Sequence, residues 1–356
     1  MIKTTAKGTK IFTVSSSAAP EIRAVAELIR AGELVAFPTE TVYGLGAHAL
    51  RADAVAKIFA AKERPADNPL IIHIYDLRQL KTLAADIPEE AWQLAHHFWP
   101  GPLTLILRKK AQVPDLVTGG LDSVAIRMPN HTLALALLQQ ADVPVAAPSA
   151  NLSGRPSPTT ADHVLTDLDG RIAAVLDGGP CSVGVESTVL DIRQGEPKIL
   201  RPGGVTPEEI SAVLRRPCSL VHWLPQSEDA PPSPGLKYLH YAPRAPLYLL
   251  TGAPERQIKK MQELLQNFQA EGKRVGLLVS QESAGKFSGA EIIVLGSRRR
   301  PDQLAAGLFA ALRSFDEKQV DVILAEGYSK KGVGLAVMNR LQKAAGPRVI
   351  NVGGDE

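Results

Sequence analysis

Four short stretches of the chain carry most of its chemically useful side chains, each where an apolar run breaks into a turn. PTETVYGLGAHA (38–49) is followed, one helix later, by KIFAAKERPADNPLIIHI (57–74). Lys62 and Arg64 close a predicted helix just before Pro65, a place where cations answer the helix dipole. Asn68 and His73 follow on the next turn and strand, so the same two cations can instead face a cleft and bind phosphates. In SVAIRMPN (123–130), Arg127 interrupts an apolar strand and points away from the side taken by Val124 and Ile126. Such a charge is paired, faces a ligand, or sits on an edge strand open to solvent, because burying it alone costs roughly several kcal/mol. Arginine is the side chain suited to a bidentate grip on a carboxylate. In VPVAAPSANLSGRPSPTT (143–160) a buried strand runs into Pro148, Ser149, Asn151, Ser153, Gly154 and Ser157. That composition reverses a chain, and its hydroxyls and amides also suit a phosphate or ribose. The fourth stretch is GGPCSVGVESTVLDI (178–192) with KILRPGG (198–204), where Arg201 abuts another tight turn.

What is missing narrows the chemistry. The chain has no GxxxxGK[ST] loop, no HExxH and no GxSxG, and GLG at 44–46 lacks the third glycine of a dinucleotide fingerprint. His96 and His97 are adjacent and cannot share a helical face, and His48, His131 and His163 stand alone as surface or capping residues, so no metal cage is expected. Cys181 and Cys218 are the only cysteines; they build neither a disulfide framework nor a zinc site, which points to a reducing compartment, and Cys181 has no histidine partner fixed in sequence that would make it a nucleophile. Forty basic against 37 acidic residues leave +3, and aromatics are 5%, a poor match to a nucleic-acid backbone stripe or base-stacking surface. The first residues lack the apolar core of a signal peptide, and no run of about 18 apolar residues follows. The expectation is a cytoplasmic protein without a membrane span.

The elements that must position these residues form an α/β pattern. The 356 residues suit two domains. Ile22, Val25, Ala26, Leu28 and Ile29 mark one helical face, and Leu34 to Phe37 reads as a buried strand. Further strands are expected at 70–74, 103–107, 124–128, 143–147, 172–176 and 187–192, with helices near 52–61, 89–98, 133–140 and 160–168. A catalytic domain over 1–214 with a mixed sheet follows. Residues 215–245 hold six prolines, with a seventh at 246, and no apolar period, which predicts a semi-rigid linker. From 246 to 356, strand-like 247–250, 275–279, 292–295 and 322–325 alternate with helices carrying Ile258, Met261, Leu265, Phe268 and Leu304, Leu308, Leu312, Phe315. That alternation predicts a smaller Rossmann-like domain with a parallel sheet. With only Gly252 after its first strand, that domain is given no cofactor.

PTETVYGLG, the KER and SAN groups containing Lys62, Arg64, Ser149 and Asn151, FWPGPLT (98–104), VAIRMP, ESTVLD (186–191) and RPGG, in this order, resemble the threonylcarbamoyl-AMP synthase family in its long, two-domain form with an N-terminal YrdC-like domain. The resemblance covers nearly the whole chain. It implies a YrdC-like domain with a twisted mixed sheet and a ligand cleft, and synthesis of L-threonylcarbamoyladenylate from L-threonine, bicarbonate or CO2 and ATP with release of pyrophosphate. It assigns Thr41, His73, Arg127, Ala147 by its backbone, and Ser187 to threonine. Arg64, Asn68, Ser123, Ser149, Ser157 and Arg201 fall to ATP, with Lys62 and Asn151 completing the lining and Lys62 and Arg64 neutralising phosphate charge. SPGLKYLHYAP (233–243) is similar to the family's interdomain segment, whose second tyrosine, Tyr241 here, reaches the nucleotide and makes the linker a candidate lid; Leu239 departs from the basic residue expected there. Mg2+ is implied as the companion of ATP, and a separate tRNA threonylcarbamoyl transferase complex as the consumer of the product. A second reading, from another class, is an RNA-binding or ribosome-assembly module with weak RNA binding and without this activity.

Overall fold

The computed structural model describes residues 1–193, 195–221, 231, 233 and 240–354. Leu239 and most of the expected linker lie outside them. The chain divides into two compact units, Met1–Ser153 with Ser157–Tyr238, and Gly154–Pro156 with Leu239–Glu356.

The first unit runs β1 (Ile2–Thr4), β2 (Lys10–Thr13), α1 (Pro20–Arg30), β3 (Val35–Phe37), β4 (Gly44–His48), α2 (Ala52–Lys62), β5 (Ile71–His73), α3 (Leu80–Leu83), β6 (Ala84–Ala85) and α4 (Glu89–Phe98). It continues with β7 (Leu103–Lys109), α5 (Asp115–Thr118), β8 (Ser123–Arg127), α6 (Thr132–Ala141), β9 (Val145–Ala146), α7 (Ala161–Leu168), β10 (Ala174–Asp177), β11 (Thr188–Asp191), β12 (Lys198–Arg201), α8 (Pro207–Leu214) and β13 (Ser219–Leu220). The strands form one mixed sheet in the order β1-β2-β10-β3-β4-β9-β5-β8-β7-β11-β12-β13, with β6 beside β7. This is the mixed α/β fold expected from the sequence. The range 215–245 is not linker from its start, because Ser219 and Leu220 pair in parallel with Lys198 and Ile199.

Local chemistry explains several of these elements. Proline at the first turn and Glu21 and Arg30 at opposite ends suit α1, whose buried stripe is Ile22, Val25, Ala26 and Ile29. Thr206 and Glu209 close a capping box on α8. At the end of α2, Glu63 takes a left-handed conformation with φ 53°, which breaks the helix and releases the chain toward Asn68.

The two faces of the sheet have different fates. One carries the larger core, with Val55 and Ile58 of α2, Leu94 of α4, Val164 of α7 and Ile210 of α8 packed on Leu45, Ile72, Leu105 and Ile126. On the other, α1 and α6 cover the region of Val35, Phe37, Val145 and Leu176. That same face continues over β5, β8, β7, β11 and β12 as a small apolar cluster of Ile71, Ile106, Ala125, Val189 and Leu200. Around this floor the polar residues gather.

The second unit contains β14 (Leu247–Thr251), α9 (Pro254–Ala270), β15 (Val275–Ser280), β16 (Glu291–Gly296), α10 (Pro301–Glu317), β17 (Val322–Glu326), α11 (Gly334–Ala345) and β18 (Val349–Asn351). The order is β16-β15-β17-β14-β18, and every pairing is parallel, as the alternation predicted. Met261 and Leu265 of α9 pack on Leu250, Leu277, Val279 and Leu324.

Candidate active site

Alternation along β8 places Ser123, Ala125 and Arg127 on the floor side while Val124 and Ile126 enter the main core. β8 lies between β5 and β7, so Arg127 is not on a solvent edge; it is 4% exposed. In the parallel register His73 is the partner of Arg127. Arg127 Nη1 donates to Thr41 Oγ1 at 2.9 Å and Nε to the Gly101 carbonyl at 3.3 Å. Its Nη2 stands 2.7 Å from Glu40 Oε1, without the alignment of a hydrogen bond on either side. The carboxylate balances the buried guanidinium while leaving N–H directions for another anion. Thr41 is itself fixed by Thr39, whose Oγ1 lies 2.8 Å from Thr41 Oγ1.

His73 lies edge-on to Phe37 with ring centroids 6.0 Å apart, and its Nδ1 is 3.2 Å from the Ile71 carbonyl. Burial first, and then the nearby charge of Arg127, push its pKa down to about 3. It is therefore a neutral imidazole at physiological pH, able to meet a hydroxyl but not a carboxylate charge. The Ala147 N–H is taken by the Ile71 carbonyl at 2.9 Å, which leaves a backbone contact at that position to the carbonyl.

A second group surrounds Ser187. Its Oγ is 2.8 Å from Thr104 Oγ1, and Arg201 donates from Nε and Nη2 to the Ser187 carbonyl at 3.1 and 3.0 Å and from Nη2 to Ser187 Oγ at 3.1 Å. The RPGG turn presses on this point: a Cβ on Gly203 would stand 2.2 Å from the Thr188 nitrogen and 2.3 Å from the Glu186 carbonyl oxygen. Only glycine fits. Ser157, buried, donates through Oγ to Glu186 Oε1.

The third group is the KER turn. Lys62, 1% exposed, donates through Nζ to the carbonyls of Ser149 and Asn151, and its own carbonyl receives the Ser153 N–H at 3.0 Å. Arg64 Nη2 donates to the carbonyls of Asn68 and Pro69 at 3.3 and 3.1 Å. Asn68 is buried with its Oδ1 lacking a hydrogen-bond partner. Lys62, Arg64, Arg127 and Arg201 are thus all held by main-chain oxygens.

Backbone hydrogen bonds bring the groups together. Tyr43 N–H meets the Pro158 carbonyl, Ala150 N–H the Tyr43 carbonyl, and Val183 N–H the Glu40 carbonyl, at 2.9, 2.8 and 2.7 Å. The Gly101 N–H reaches the Met128 carbonyl and the Thr188 N–H the Pro102 carbonyl, at 2.8 and 2.9 Å. Apart from Gly154–Pro156, all four sequence stretches and FWPGPLT therefore converge in the first unit, carrying Thr41, Lys62, Arg64, Asn68, His73, Ser123, Arg127, Ala147, Ser149, Asn151, Ser157, Ser187 and Arg201. Tyr241 belongs to the second unit, with φ 66° and its ring 5.3 Å from that of Phe309. Glu40, Glu186, Thr39 and Thr104 escaped the sequence reading of the site. A carboxylate amid hydroxyl and apolar residues in PTETVYG and ESTVLD was the available signal.

Two of the remaining histidines make local hydrogen bonds. His48 Nδ1 accepts the Leu50 N–H at 3.3 Å and His163 Nδ1 the Thr159 N–H at 3.2 Å. His131 precedes α6 without capping it, and its buried Nδ1 has no hydrogen-bond partner. Burial pushes the Cys181 thiol up to about 12, which removes it as a nucleophile. Among the described residues no group of three or more His, Cys, Asp or Glu could hold a metal, and no helix is long and apolar enough to cross a membrane.

Comparison with known proteins matches both parts of the chain. The family model described as "Telomere recombination" matches residues 27–203, and that described as "Threonylcarbamoyl-AMP synthase, C-terminal domain" matches 205–346. Relatives named threonylcarbamoyl-AMP synthase include one from Bacillus subtilis, 55% identical over 93% of this chain and 94% of its own, and one from Pyrococcus abyssi, 52% identical over 93% and 96%. The crystal structure of P. abyssi Sua5 complexed with L-threonine superposes with a TM-score of 0.91 at 50% identity, covering 96% of this chain and 99% of that one. Both units and the residues between them are thus matched in order, and the chain belongs to the threonylcarbamoyl-AMP synthase family.

Proposed function

We propose that this enzyme makes L-threonylcarbamoyladenylate from L-threonine, bicarbonate or CO2, and ATP, releasing pyrophosphate. The observation that carries the reading is Arg127, buried on the floor beside neutral His73 and bonded to Thr41. In this proposal Arg127 grips the threonine carboxylate, Thr41 and His73 receive its hydroxyl, and the Ala147 carbonyl and Ser187 fix its amine end. That the P. abyssi relative was crystallised with L-threonine supports the assignment.

The threonine amine adds to CO2, losing a proton, and the resulting carbamate oxygen attacks the α-phosphorus of ATP as the bond to pyrophosphate breaks. No protein nucleophile is required. The chain supplies attack geometry and fixed positive charge. Arg64 and Arg201 face the phosphates. Lys62 fixes the turn bearing Ser149 and Asn151 and adds its charge to the same region. Ser123, Ser157 and the unsatisfied Oδ1 of Asn68 complete the nucleotide contacts. Mg2+ arrives as part of the MgATP substrate, held by phosphate oxygens. The adenylate then serves a tRNA threonylcarbamoyl transferase that modifies adenosine beside the anticodon.

Pyrophosphate release tests the proposal, with L-threonine and bicarbonate each present or omitted and L-serine as a comparison. Release that requires both co-substrates is expected. Turnover indifferent to threonine, together with a salt-dependent RNA affinity, would overturn it in favour of an RNA-binding module.

A further inference from the structure

The proposed synthesis leaves the carboxyl edge of the second unit's sheet without a task, yet polar groups are buried there unsatisfied. β15 leads outward to β16, whereas the neighbouring β17 leads through α11 to β18 at the opposite edge. In open parallel sheets, ligands bind beyond the strand carboxyl ends where adjacent connections part in this way.

Three strands deliver side chains to that point. Glu326, the last residue of β17, is fully buried. Its Oε2 accepts the Ser280 N–H at 2.7 Å and lies 3.4 Å from Arg298 Nη2, while Oε1 has no hydrogen-bond partner. Tyr328 is 1% exposed and its hydroxyl is also without a hydrogen-bond partner. The Arg298 guanidinium lies 5.2 Å from the Tyr328 ring centroid, and its Nη2 lacks a hydrogen bond. Ser280, the last residue of β15, and Ser283 on the loop after it are both buried and place their hydroxyls 3.0 Å apart. A buried carboxylate oxygen without a hydrogen bond calls for a donor from outside the fold, and the Tyr328 phenol, which shares the Arg298 guanidinium with Glu326, can give or take another.

The mouth has the opposite sign. Arg299, Arg300, Lys330 and Lys331 are exposed on the loops just before α10 and α11, where helix amino ends favour an anion. The two loops adjoin, since a Cβ on Gly334 would stand 3.9 Å from the Pro301 Cβ. Of the nearby carboxylates, Asp302 pairs with Arg300 and Glu282 takes the Ser297 hydroxyl and the Arg298 N–H. We propose that this edge binds a sugar phosphate, its vicinal hydroxyls on Glu326 Oε1 and Tyr328 Oη and its phosphate at the cationic mouth. A carboxylate beyond a strand end is the group that receives ribose hydroxyls in α/β nucleotide sites, and the lack of a glycine-rich turn fits one phosphate rather than a pyrophosphate.

Calorimetric titration of the full chain with ribose 5-phosphate tests this separately from synthesis. Saturable binding is expected, weakened at least about tenfold in Tyr328→Phe and in Glu326→Gln, unchanged in Arg64→Ala, and poorer for free ribose or inorganic phosphate alone. Tyr328→Phe removes only a hydroxyl without a hydrogen bond, so its melting temperature should hold or rise, which separates lost binding from lost folding. Absence of saturable binding, equal binding by Tyr328→Phe, or binding abolished by Arg64→Ala would each refute the site.

Discussion

Burial against Phe37 and the charge of Arg127 hold His73 neutral, with a pKa near 3 against an ordinary 6.5. The unfolded chain therefore takes up this proton near pH 6.5 while the folded chain resists it until about pH 3. The stability this represents is whole above pH 6.5 and is lost as pH falls toward 3, at up to about 1.4 kcal/mol per pH unit. Denaturation of wild type and His73→Asn from pH 7 to 4 should show this extra slope only in wild type; parallel curves would mean the ring is solvated. For Arg127→Lys, loss of the planar fork should weaken threonine binding by at least about tenfold while ATP titrates as before. The face on which Arg127 stands was legible, because alternation along β8 is a local property. Its partner Glu40 was not, since an ion pair between residues 40 and 127 leaves no trace in either segment's periodicity.

Among the elements, the turn after α2 depends on Lys62. Lys62→Met should cost about 3 kcal/mol of stability, because the buried carbonyls of Ser149 and Asn151 lose their donor, and weaken ATP binding through those freed carbonyls; chemical denaturation and nucleotide titration read the two effects. Gly203→Ala forces backbone apart at Ser187 and should lower the melting temperature and uncouple Arg201, visible as lost ATP affinity with the second unit's signals unchanged. Helix α4 matched its sequence pattern at both ends, Glu89–Phe98, because its amphipathic stripe is strong. β4 carries no strand pattern of its own: GLGAH has no β-branched residue, and its strand character comes from pairing with Val35–Phe37. Strand β18 and helix α11 were missed as well, the helix because Gly332 and Gly334 break its start.

At the scale of the molecule, each unit has its own apolar core, so a 240–356 fragment should unfold cooperatively in a calorimeter. A broad, non-cooperative melt would show that it needs the first unit. The parallel character of the second sheet was legible from alternating strands and helices, while the strand order of either sheet was not, since it is decided by contacts far apart in sequence. The way the cations are moored has a further consequence for how this scaffold can change. Main-chain oxygens of Gly101, Asn68, Pro69, Ser149, Asn151 and Ser187 hold Arg127, Arg64, Lys62 and Arg201, and a carbonyl survives any substitution of its own side chain. The lining can therefore drift, or be redesigned for a different amino acid, while the charges proposed above to hold carboxylate and phosphates stay where the backbone put them.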